Sequence, residues 1–188
     1  MRKLVLIEPE IPENTGSIAR LAANFYFELR IVNPQFNLAE ARKTAKNAQN
    51  KLRDARIYEK VEEAVKDLDY IVGTKPGRGQ KLHVFQPREN TSLMIGRESS
   101  GLSNKELDLC DAVVEIQTSE MSSINQSHAA GIIMAKFNQT SSKGLEKGMK
   151  QKIKSLVPTN TAEAIIKSSP SEAEAGKIIQ ELRSITEK

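Results

Sequence analysis

Residues 92–102 read S-L-M-I-G-R-E-S-S-G-L, and residues 112–127 read A-V-V-E-I-Q-T-S-E-M-S-S-I-N-Q-S. Each stretch begins with a short apolar run that predicts a buried strand, and each run gives way to small and polar residues that predict a turn. In an open parallel sheet, ligands bind outside the carboxyl ends of the strands. The two loops are therefore the first candidate for a binding site.

The same alternation of apolar runs and helical periodicity extends over most of the chain. Further strands are predicted at residues 4–8, 28–33 and 70–74, in addition to 92–96 and 112–116. Helical patterns lie between and after them, at residues 15–24, 38–56, 60–68, 104–110 and 126–137. This order predicts an α/β fold with a mostly parallel sheet and helices on both faces.

The composition changes after residue 138. Residues 139–144 read Q-T-S-S-K-G and predict a linker, so residues 1–138 form one domain and residues 145–188 a helical carboxyl-terminal extension. The last helical pattern carries an apolar stripe formed by Ala175, Ile178, Ile179, Leu182 and Ile185. Such a stripe has to be covered by the core, by the preceding lysine-rich helix or by another subunit.

Positive charge is concentrated in two parts of the chain. The 188 residues carry 28 Lys and Arg against 24 Asp and Glu, which gives a formal net charge of +4. One basic cluster lies in residues 40–56, and a lysine-rich one lies in residues 143–154. Basic surfaces bind polyanions by releasing counterions, so nucleic acid is the partner that both clusters favour. A solvated lysine face is the alternative for either cluster alone.

Several other classes of protein fit the sequence poorly. A single cysteine, Cys110, cannot form an internal disulfide. The apolar run at residues 4–7 is far too short for a membrane-spanning helix or a signal sequence, so a cytoplasmic protein without membrane contact is expected. His83 and His128 have no metal-ligand spacing with Cys110 or with paired acids, and no metal site is expected.

The loop after residue 95 contains a carboxylate, Glu98. A phosphate site directs backbone N–H groups at an anion, which Glu98 would repel. The loop therefore suits a cationic or neutral ligand, or Glu98 pairs with an arginine. The alternative is a surface loop whose glutamate caps the next helix. Residues 9–14 also lack the glycine-rich composition of a phosphate loop, which argues against a dehydrogenase or a phosphotransferase.

A third motif follows the first strand, where residues 9–20 read P-E-I-P-E-N-T-G-S-I-A-R. Asn14 can cap the helix that begins here, and Gly16 permits a close approach. Arg20 emerges about one turn later, and its guanidinium is a fixed fork of donors that suits a phosphate or a carboxylate.

Three motifs thus follow one another in the chain, each at the end of a predicted strand: N-x-G-x-x-x-R, G-x-E-x-x-G-L and S-x-N-x-S. Their order resembles that of the SpoU, or TrmH-type, branch of the SPOUT RNA ribose methyltransferases. The resemblance covers residues 3–138. The alanine-rich run at residues 41–55 and the sequence D-Y-I-V-G-T at residues 69–74 look most like the TrmJ-like subgroup, which methylates the anticodon loop of tRNA.

This resemblance implies a carboxyl-terminal trefoil knot in the α/β fold, a homodimer, and S-adenosylmethionine as methyl donor. It implies 2′-O-methylation of RNA, with tRNA favoured over rRNA. The alternative is an RNA-binding protein of the same fold without transfer activity. Residues 75–81 would form a basic loop near the donor and the RNA.

The resemblance also implies a set of site residues. The family's proposed catalytic residue matches Arg20, and because an arginine is a poor base, we expect it to grip a phosphate and position the ribose hydroxyl. The other catalytic-site residues implied are Asn14, Glu98, Ser123 and Asn125. The donor would be bound by Gly73, Thr74, Ile95, Gly96, Glu98, Gly101, Ile116, Ser123 and Asn125.

The chain departs from the family's usual pattern at two positions. The family often has N-F-G after the first helix, whereas this chain has Asn24, Phe25 and Tyr26. Glycine takes a left-handed turn conformation easily and tyrosine does not, so this turn is open to a different construction. Gln117 stands where a proline is common, which leaves the path of the third loop open.

Overall fold

The computed structural model describes residues 1–121, 124–139, 147–167 and 172–186. The chain divides into two units, Met1–Asn138 and Gln139–Lys188. No helix within the described ranges has the length and apolarity needed to cross a membrane.

Seven strands form the sheet of the first unit, and every pairing between them is parallel. The strands are β1 Lys3–Ile7, β2 Glu28–Val32, β3 Arg56–Tyr58, β4 Tyr70–Thr74, β5 Gln80–Lys81, β6 Thr91–Ile95 and β7 Ala112–Glu115. Their order across the sheet is β3-β2-β1-β6-β4-β7-β5. The predicted parallel sheet is confirmed, and the two strands that the sequence did not predict, β3 and β5, are the short strands at its edges.

The described part of this unit, which omits residues 122–123, contains six helices: α1 Pro12–Asn24, α2 Leu38–Ala45, α3 Gln49–Arg53, α4 Val61–Val65, α5 Asn104–Leu107 and α6 Gln126–Gln139. The single helix predicted over residues 38–56 is wrong. It breaks at Lys46, whose φ of 46° does not belong to a right-handed helix, and a 3-10 turn, Lys46–Ala48, separates α2 from α3.

Apolar side chains cover both faces of the sheet, as predicted. Because successive side chains of a strand point to opposite faces, Leu4 and Leu6 of β1 join one core cluster while Val5 and Ile7 join the other. The first cluster is completed by side chains from α1, α2, α3 and α6, and the second by side chains from α4 and α5.

Helices α1 and α2 cross at Gly16. A Cβ atom added there would lie 2.4 Å from the carbonyl oxygen of Ala41 and 2.8 Å from Cβ of Thr44. The close approach predicted at Gly16 is therefore an approach of two helices, and only glycine fits between them.

The turn after α1 keeps the left-handed geometry despite its tyrosine. Tyr26 adopts a φ of 59°, and the N–H of Phe27 donates to the carbonyl oxygen of Ala22 at 2.9 Å. This 6→1 hydrogen bond is the one that closes the carboxyl end of a helix when a left-handed residue, here Tyr26, follows it. The turn is thus built in the usual way, with a residue that rarely takes this conformation.

Among its described residues, the second unit contains three helices, α7 Lys147–Leu156, α8 Thr159–Lys167 and α9 Glu172–Thr186. They surround a small apolar core that includes Ile153, Ala162, Ala175 and Ile179. Most of the predicted linker, residues 140–144, lies outside the described residues. The trefoil knot stays a prediction.

Candidate functional site

A cavity of about 600 Å³ opens at the carboxyl ends of β4, β6 and β7, and the amino-terminal ends of α1 and α6 also contribute to it. This is the edge of the sheet where the sequence placed the binding loops. The sequence-predicted site residues that line the cavity are Asn14, Thr74, Ile95, Gly96, Glu98, Gly101, Ile116 and Asn125.

The loop after β6 owes its shape to two glycines. A Cβ atom on Gly96 would lie 2.1 Å from the carbonyl carbon of Gly101, and Gly101 itself has a φ of 67°. The N–H of Gly101 donates to the carbonyl oxygen of Arg97 at 2.9 Å and closes the loop. Glycine at both ends therefore allows a tight loop whose backbone faces the cavity.

Arg97 anchors this loop to two other elements. Its guanidinium donates to Glu8 Oε2 at 2.7 Å and to Glu106 Oε1 at 2.9 Å, and these ion pairs raise the pKa of Arg97. The hydrogen bond from Arg97 lowers the pKa of Glu8. Burial alone would raise the pKa of Glu106, but hydrogen bonds from Arg97 and Ser103 outweigh it and the net pKa is lowered. The positive charge of Arg97 is thus compensated within the protein.

Glu98 fixes the segment that leads into α1. Its carboxylate accepts hydrogen bonds from the backbone N–H of Glu10 at 2.9 Å, the backbone N–H of Ile11 at 3.3 Å and Asn14 Nδ2 at 3.1 Å. One sequence-based alternative is therefore wrong: Glu98 does not cap the next helix, α5, whose capping box is formed by Ser103 and Glu106. Within the described part of the chain, Glu98 makes no ion pair with an arginine.

A second carboxylate makes a contact between the same two loops in the opposite direction. Glu10 accepts hydrogen bonds from the N–H of Ser99 at 2.9 Å and from Ser99 Oγ at 2.7 Å. The amino-terminal loop and the loop after β6 are thus tied together by two acidic side chains, each bound to the other loop's backbone.

Asn14 and Asn125 extend this network to the third motif. Asn125 Nδ2 donates to Asn14 Oδ1 at 3.0 Å, and Asn125 Oδ1 accepts from the N–H and the Oγ of Ser127, at 2.9 and 2.8 Å. Asn125 therefore caps α6. Asn14 was expected to cap α1, but that helix begins at Pro12, and Asn14 instead joins the first, second and third motifs inside the helix.

Two of the described residues that were predicted for the site, Arg20 and Gly73, do not line the cavity. Arg20 is exposed, does not line the cavity and makes no hydrogen bond or ion pair with any described residue. Gly73 lies inside β4, where an added Cβ would meet Cys110 Sγ at 2.7 Å, so packing alone requires a glycine there. Ser123 lies outside the described residues.

Lys75 and Gln126 are among the cavity residues that the sequence analysis did not assign to the site. Lys75 donates from Nζ to the carbonyl oxygen of Leu102 at 2.8 Å, which fixes the start of the basic loop at the cavity. Gln126, only 7% exposed, donates from Nε2 to the carbonyl oxygen of Gly96 at 2.8 Å. Gln126 directly follows the residue that caps α6, and this position in the sequence could have indicated that it lies at the cavity.

These capping contacts restrict the ligands that the cavity can take. The start of α6 is capped by Asn125, and the carboxylate of Glu98 holds the backbone just before α1. A phosphate would therefore meet a capped terminus at α6 and a negative charge at α1. Apolar walls at Ile95, Ile116 and Ile124 suit a flat aromatic group. Among the described residues, no group of three His, Cys, Asp or Glu side chains could hold a metal ion.

Comparisons with known proteins agree with this architecture. Residues 1–135 match the model of the SpoU rRNA Methylase family. The tRNA (cytidine-2′-O-)-methyltransferase TrmJ of Methanocaldococcus jannaschii is 37% identical over 151 residues, which cover 71% of this chain and 66% of that relative. The enzyme of the same name from Sulfolobus acidocaldarius is 31% identical over 147 residues, covering 70% of this chain and 63% of the relative. This chain thus spans just under two thirds of each relative.

A solved structure shows the same fold. The crystal structure of TrmJ from Z. mobilis ZM4 superimposes with a TM-score of 0.67 at 21% identity, and the match covers 100% of both chains. The predicted resemblance is confirmed by the family match and by these relatives. On its sequence, its parallel sheet and the three motifs that meet at one cavity, this chain belongs to the SpoU rRNA methylase family.

Proposed function

We propose that this chain transfers the methyl group of S-adenosylmethionine to a ribose 2′-hydroxyl of RNA, and that its substrate is tRNA. The observation that carries the proposal is the continuous hydrogen-bonded network from Glu98 through Asn14 to Asn125, which joins the three family motifs around one cavity. Relatives with 37% and 31% identity are named as tRNA 2′-O-methyltransferases, which supports tRNA over rRNA.

The residues that line the cavity fit S-adenosylmethionine. When bound, this cofactor supplies an electrophilic methyl group on a positively charged sulfur. Ile95, Ile116 and Ile124 offer apolar contact to an adenine ring, while the backbone at Gly96 and Gly101 offers hydrogen-bonding groups without a side chain in the way. Thr74 lines the same cavity and adds a hydroxyl.

The asparagines hold the site in shape rather than performing chemistry. Asn14 uses its amide oxygen on Asn125 and its amide nitrogen on Glu98, so its hydrogen-bonding groups fix three loops at once. A methyl transfer requires the attacking oxygen, the methyl carbon and the sulfur to lie in line, and small displacements of a loop are costly. We therefore assign Asn14, Glu98 and Asn125 as positioning residues for the donor cavity.

Arg20 is the residue we assign to the RNA. Its exposed guanidinium is a fork of donors that can bind the phosphate of the target nucleotide and orient the 2′-hydroxyl. Arg20 does not line the cavity of its own chain. We therefore propose a homodimer in which Arg20 of one subunit reaches the donor cavity of the other.

Exposed cations elsewhere provide the electrostatic attraction that RNA binding needs. In the first unit, Arg42, Lys43 and Lys46 are exposed and have no ion-pair partner among the described residues. In the second unit, Lys152 and Lys154 are exposed on α7. We propose that both groups contact RNA phosphates, so that affinity for tRNA decreases as the salt concentration rises.

One assay tests the reaction. The protein is incubated with methyl-labelled S-adenosylmethionine and unmodified tRNA or rRNA, and the RNA is then hydrolysed in alkali. Because a 2′-O-methyl group removes the nucleophile that cleaves the neighbouring phosphodiester, we expect the label in alkali-resistant dinucleotides from tRNA. Label in mononucleotides would indicate base methylation, label in rRNA alone would reassign the substrate, and no label with intact RNA binding would favour a binding protein.

A substitution tests the role of Arg20. Arg20→Lys keeps the charge but loses the planar fork, so we expect the rate of methyl transfer to fall about tenfold or more while the binding of S-adenosylmethionine is unchanged. Full activity in Arg20→Lys would contradict the assignment.

A further inference from the structure

Tyr26 combines an unfavourable backbone with an exposed aromatic ring. Its φ is 59°, a conformation in which a bulky side chain is an outlier, and the residue is 77% exposed. The structure describes three other non-glycine residues with positive φ, Glu8, Asn33 and Lys46. Glu8 is bound by Arg97 and by Asn33, whereas the Tyr26 side chain has no hydrogen bond or ring contact with any described residue.

The turn itself does not need a tyrosine. Its geometry is set by the end of α1 and by Phe27, which is fully buried and donates its N–H to Ala22. Glycine or asparagine would take the same φ at little cost, and glycine is the residue most often found at this position after a helix. A strained residue that contributes no packing indicates a role outside the fold.

One cationic side chain contacts this turn, and two more are carried by the elements beside it. Lys51 of α3 donates from Nζ to the carbonyl oxygen of Phe27 at 3.1 Å. Arg56 of β3 pairs with Glu28, the residue that follows Phe27, at 3.4 Å, and the 71% exposed side chain of Arg53 in α3 pairs with its neighbour Asp54 at 3.1 Å. An exposed aromatic ring among cations is the arrangement by which proteins stack on a base and bind the adjoining phosphates.

We propose that Tyr26 stacks on a base of the RNA substrate, and that Tyr26, Lys51 and Arg53 form an RNA-docking surface separate from the donor cavity. Ile11 and Asn14 line the cavity at one end of α1, and Tyr26 follows the other end. At about 1.5 Å per residue, this helix of 13 residues separates the two places by roughly 20 Å. The contact is therefore to a nucleotide distant from the methylated one. The inference rests on RNA being the substrate, as proposed above.

The test compares three substitutions of Tyr26. Tyr26→Gly and Tyr26→Asn remove the ring and accept the turn conformation, while Tyr26→Phe keeps the ring. Binding of an unmodified tRNA transcript is measured by fluorescence anisotropy at one fixed salt concentration, Tm by calorimetry, and kcat and KM by methyl transfer. Loss of one stacking contact predicts about a tenfold higher Kd for the Gly and Asn variants, and a Kd within about twofold of wild type for the Phe variant.

The stability measurement separates this role from a structural one. Relief of the left-handed strain predicts that Tyr26→Gly raises Tm by about 2 °C while it weakens RNA binding and raises KM with kcat unchanged. A higher Tm with an unchanged Kd for tRNA would overturn the inference. So would a change from dimer to monomer in sedimentation with unchanged RNA affinity, because Tyr26 would then contact a second copy of the chain.

The same experiment distinguishes the inference from the proposed function. If the wild-type protein binds tRNA but transfers no methyl group, the proposed function fails and a weaker Kd in the Gly and Asn variants still supports the docking surface. If wild-type methyl transfer occurs and the variants bind tRNA as tightly as wild type, only the docking surface fails. A wild-type protein that binds neither tRNA nor rRNA overturns both.

Discussion

Replacing Glu98 tests whether its charge serves the donor or the fold. Glu98 lines the donor cavity, but its carboxylate is bound to two backbone N–H groups at the start of α1 and to the amide of Asn14. We predict that Glu98→Gln changes the affinity for S-adenosylmethionine and for its neutral-sulfur product, S-adenosylhomocysteine, by the same factor, to within about threefold.

The magnitudes of the two possible roles differ clearly. A carboxylate about 5 Å from a sulfonium contributes about 3 kcal/mol at an effective dielectric constant of about 20, or roughly a hundredfold in affinity for the cationic ligand alone. A carboxylate that only holds backbone N–H groups of a neighbouring loop instead contributes about 1–2 kcal/mol to stability. For a chain of 188 residues, that loss lowers Tm by about 2–8 °C.

The assay is calorimetric titration of both ligands into wild-type protein and into Glu98→Gln, with a thermal scan of each protein. Glu10→Gln is the matched control, because Glu10 also binds the loop after β6 but does not line the cavity. We expect a lower Tm and an unchanged ratio of the two ligand affinities in both variants. A selective loss of S-adenosylmethionine affinity of tenfold or more in Glu98→Gln alone would refute a purely structural role of Glu98.

Three further predictions concern the packing and ionisation around the site. The lowered pKa values of Glu8 and Glu106 mean that their ion pairs with Arg97 stabilise the fold above about pH 4.5, and that this stabilisation is lost as the pH falls through the lowered values. The double variant Glu8→Gln, Glu106→Gln should therefore show a flatter profile of Tm against pH than wild type between about pH 4.5 and 2. Equal slopes in the two proteins would contradict this. Gly73→Ala should destabilise by about 1–3 kcal/mol in urea unfolding because its Cβ meets Cys110 Sγ, and Cys110→Ala should recover part of that loss; strict additivity of the two changes would argue against the contact. Gly16→Ala should lower the free energy of unfolding by about 3 kcal/mol, because the new Cβ meets backbone atoms of α2. The control Gly176→Ala in α9 has open space around it and should stabilise the protein slightly. Equal effects of the two substitutions would show that the crossing of α1 and α2 relaxes easily.

The sequence predicted the elements that have strong periodic patterns. Strand β4 falls on its predicted residues, and β1 and β6 lie within one residue of theirs, because each is a short apolar run ended by small or polar residues. Strands β3 and β5 escaped prediction because two or three partly charged residues carry no strand pattern. The long helix predicted over residues 38–56 failed because periodicity cannot reveal a single left-handed residue such as Lys46.

Within the site, residue positions were more predictable than residue partners. The three motifs lie at strand ends and were correctly expected at one edge of the sheet. That Glu98 would bind α1 rather than the next helix could not be read from the sequence, because the contact spans more than 80 residues. The same holds for the two packed glycines. Gly16 is required by the approach of α2 and Gly73 by the approach of Cys110, and both contacts come from distant parts of the chain.

The most direct measurement of the central claim is the rate at which alkali-resistant, methyl-labelled dinucleotides form from unmodified tRNA. Wild-type protein is compared with Asn14→Ala, which breaks the link between the three motifs, and with Lys105→Ala, an exposed position away from the cavity. We predict equal rates for wild type and Lys105→Ala, and a loss of about a hundredfold or more for Asn14→Ala because the donor loops are no longer fixed. A wild-type protein that binds both tRNA and S-adenosylmethionine but forms no alkali-resistant product, or an Asn14→Ala variant with full activity, would contradict the account.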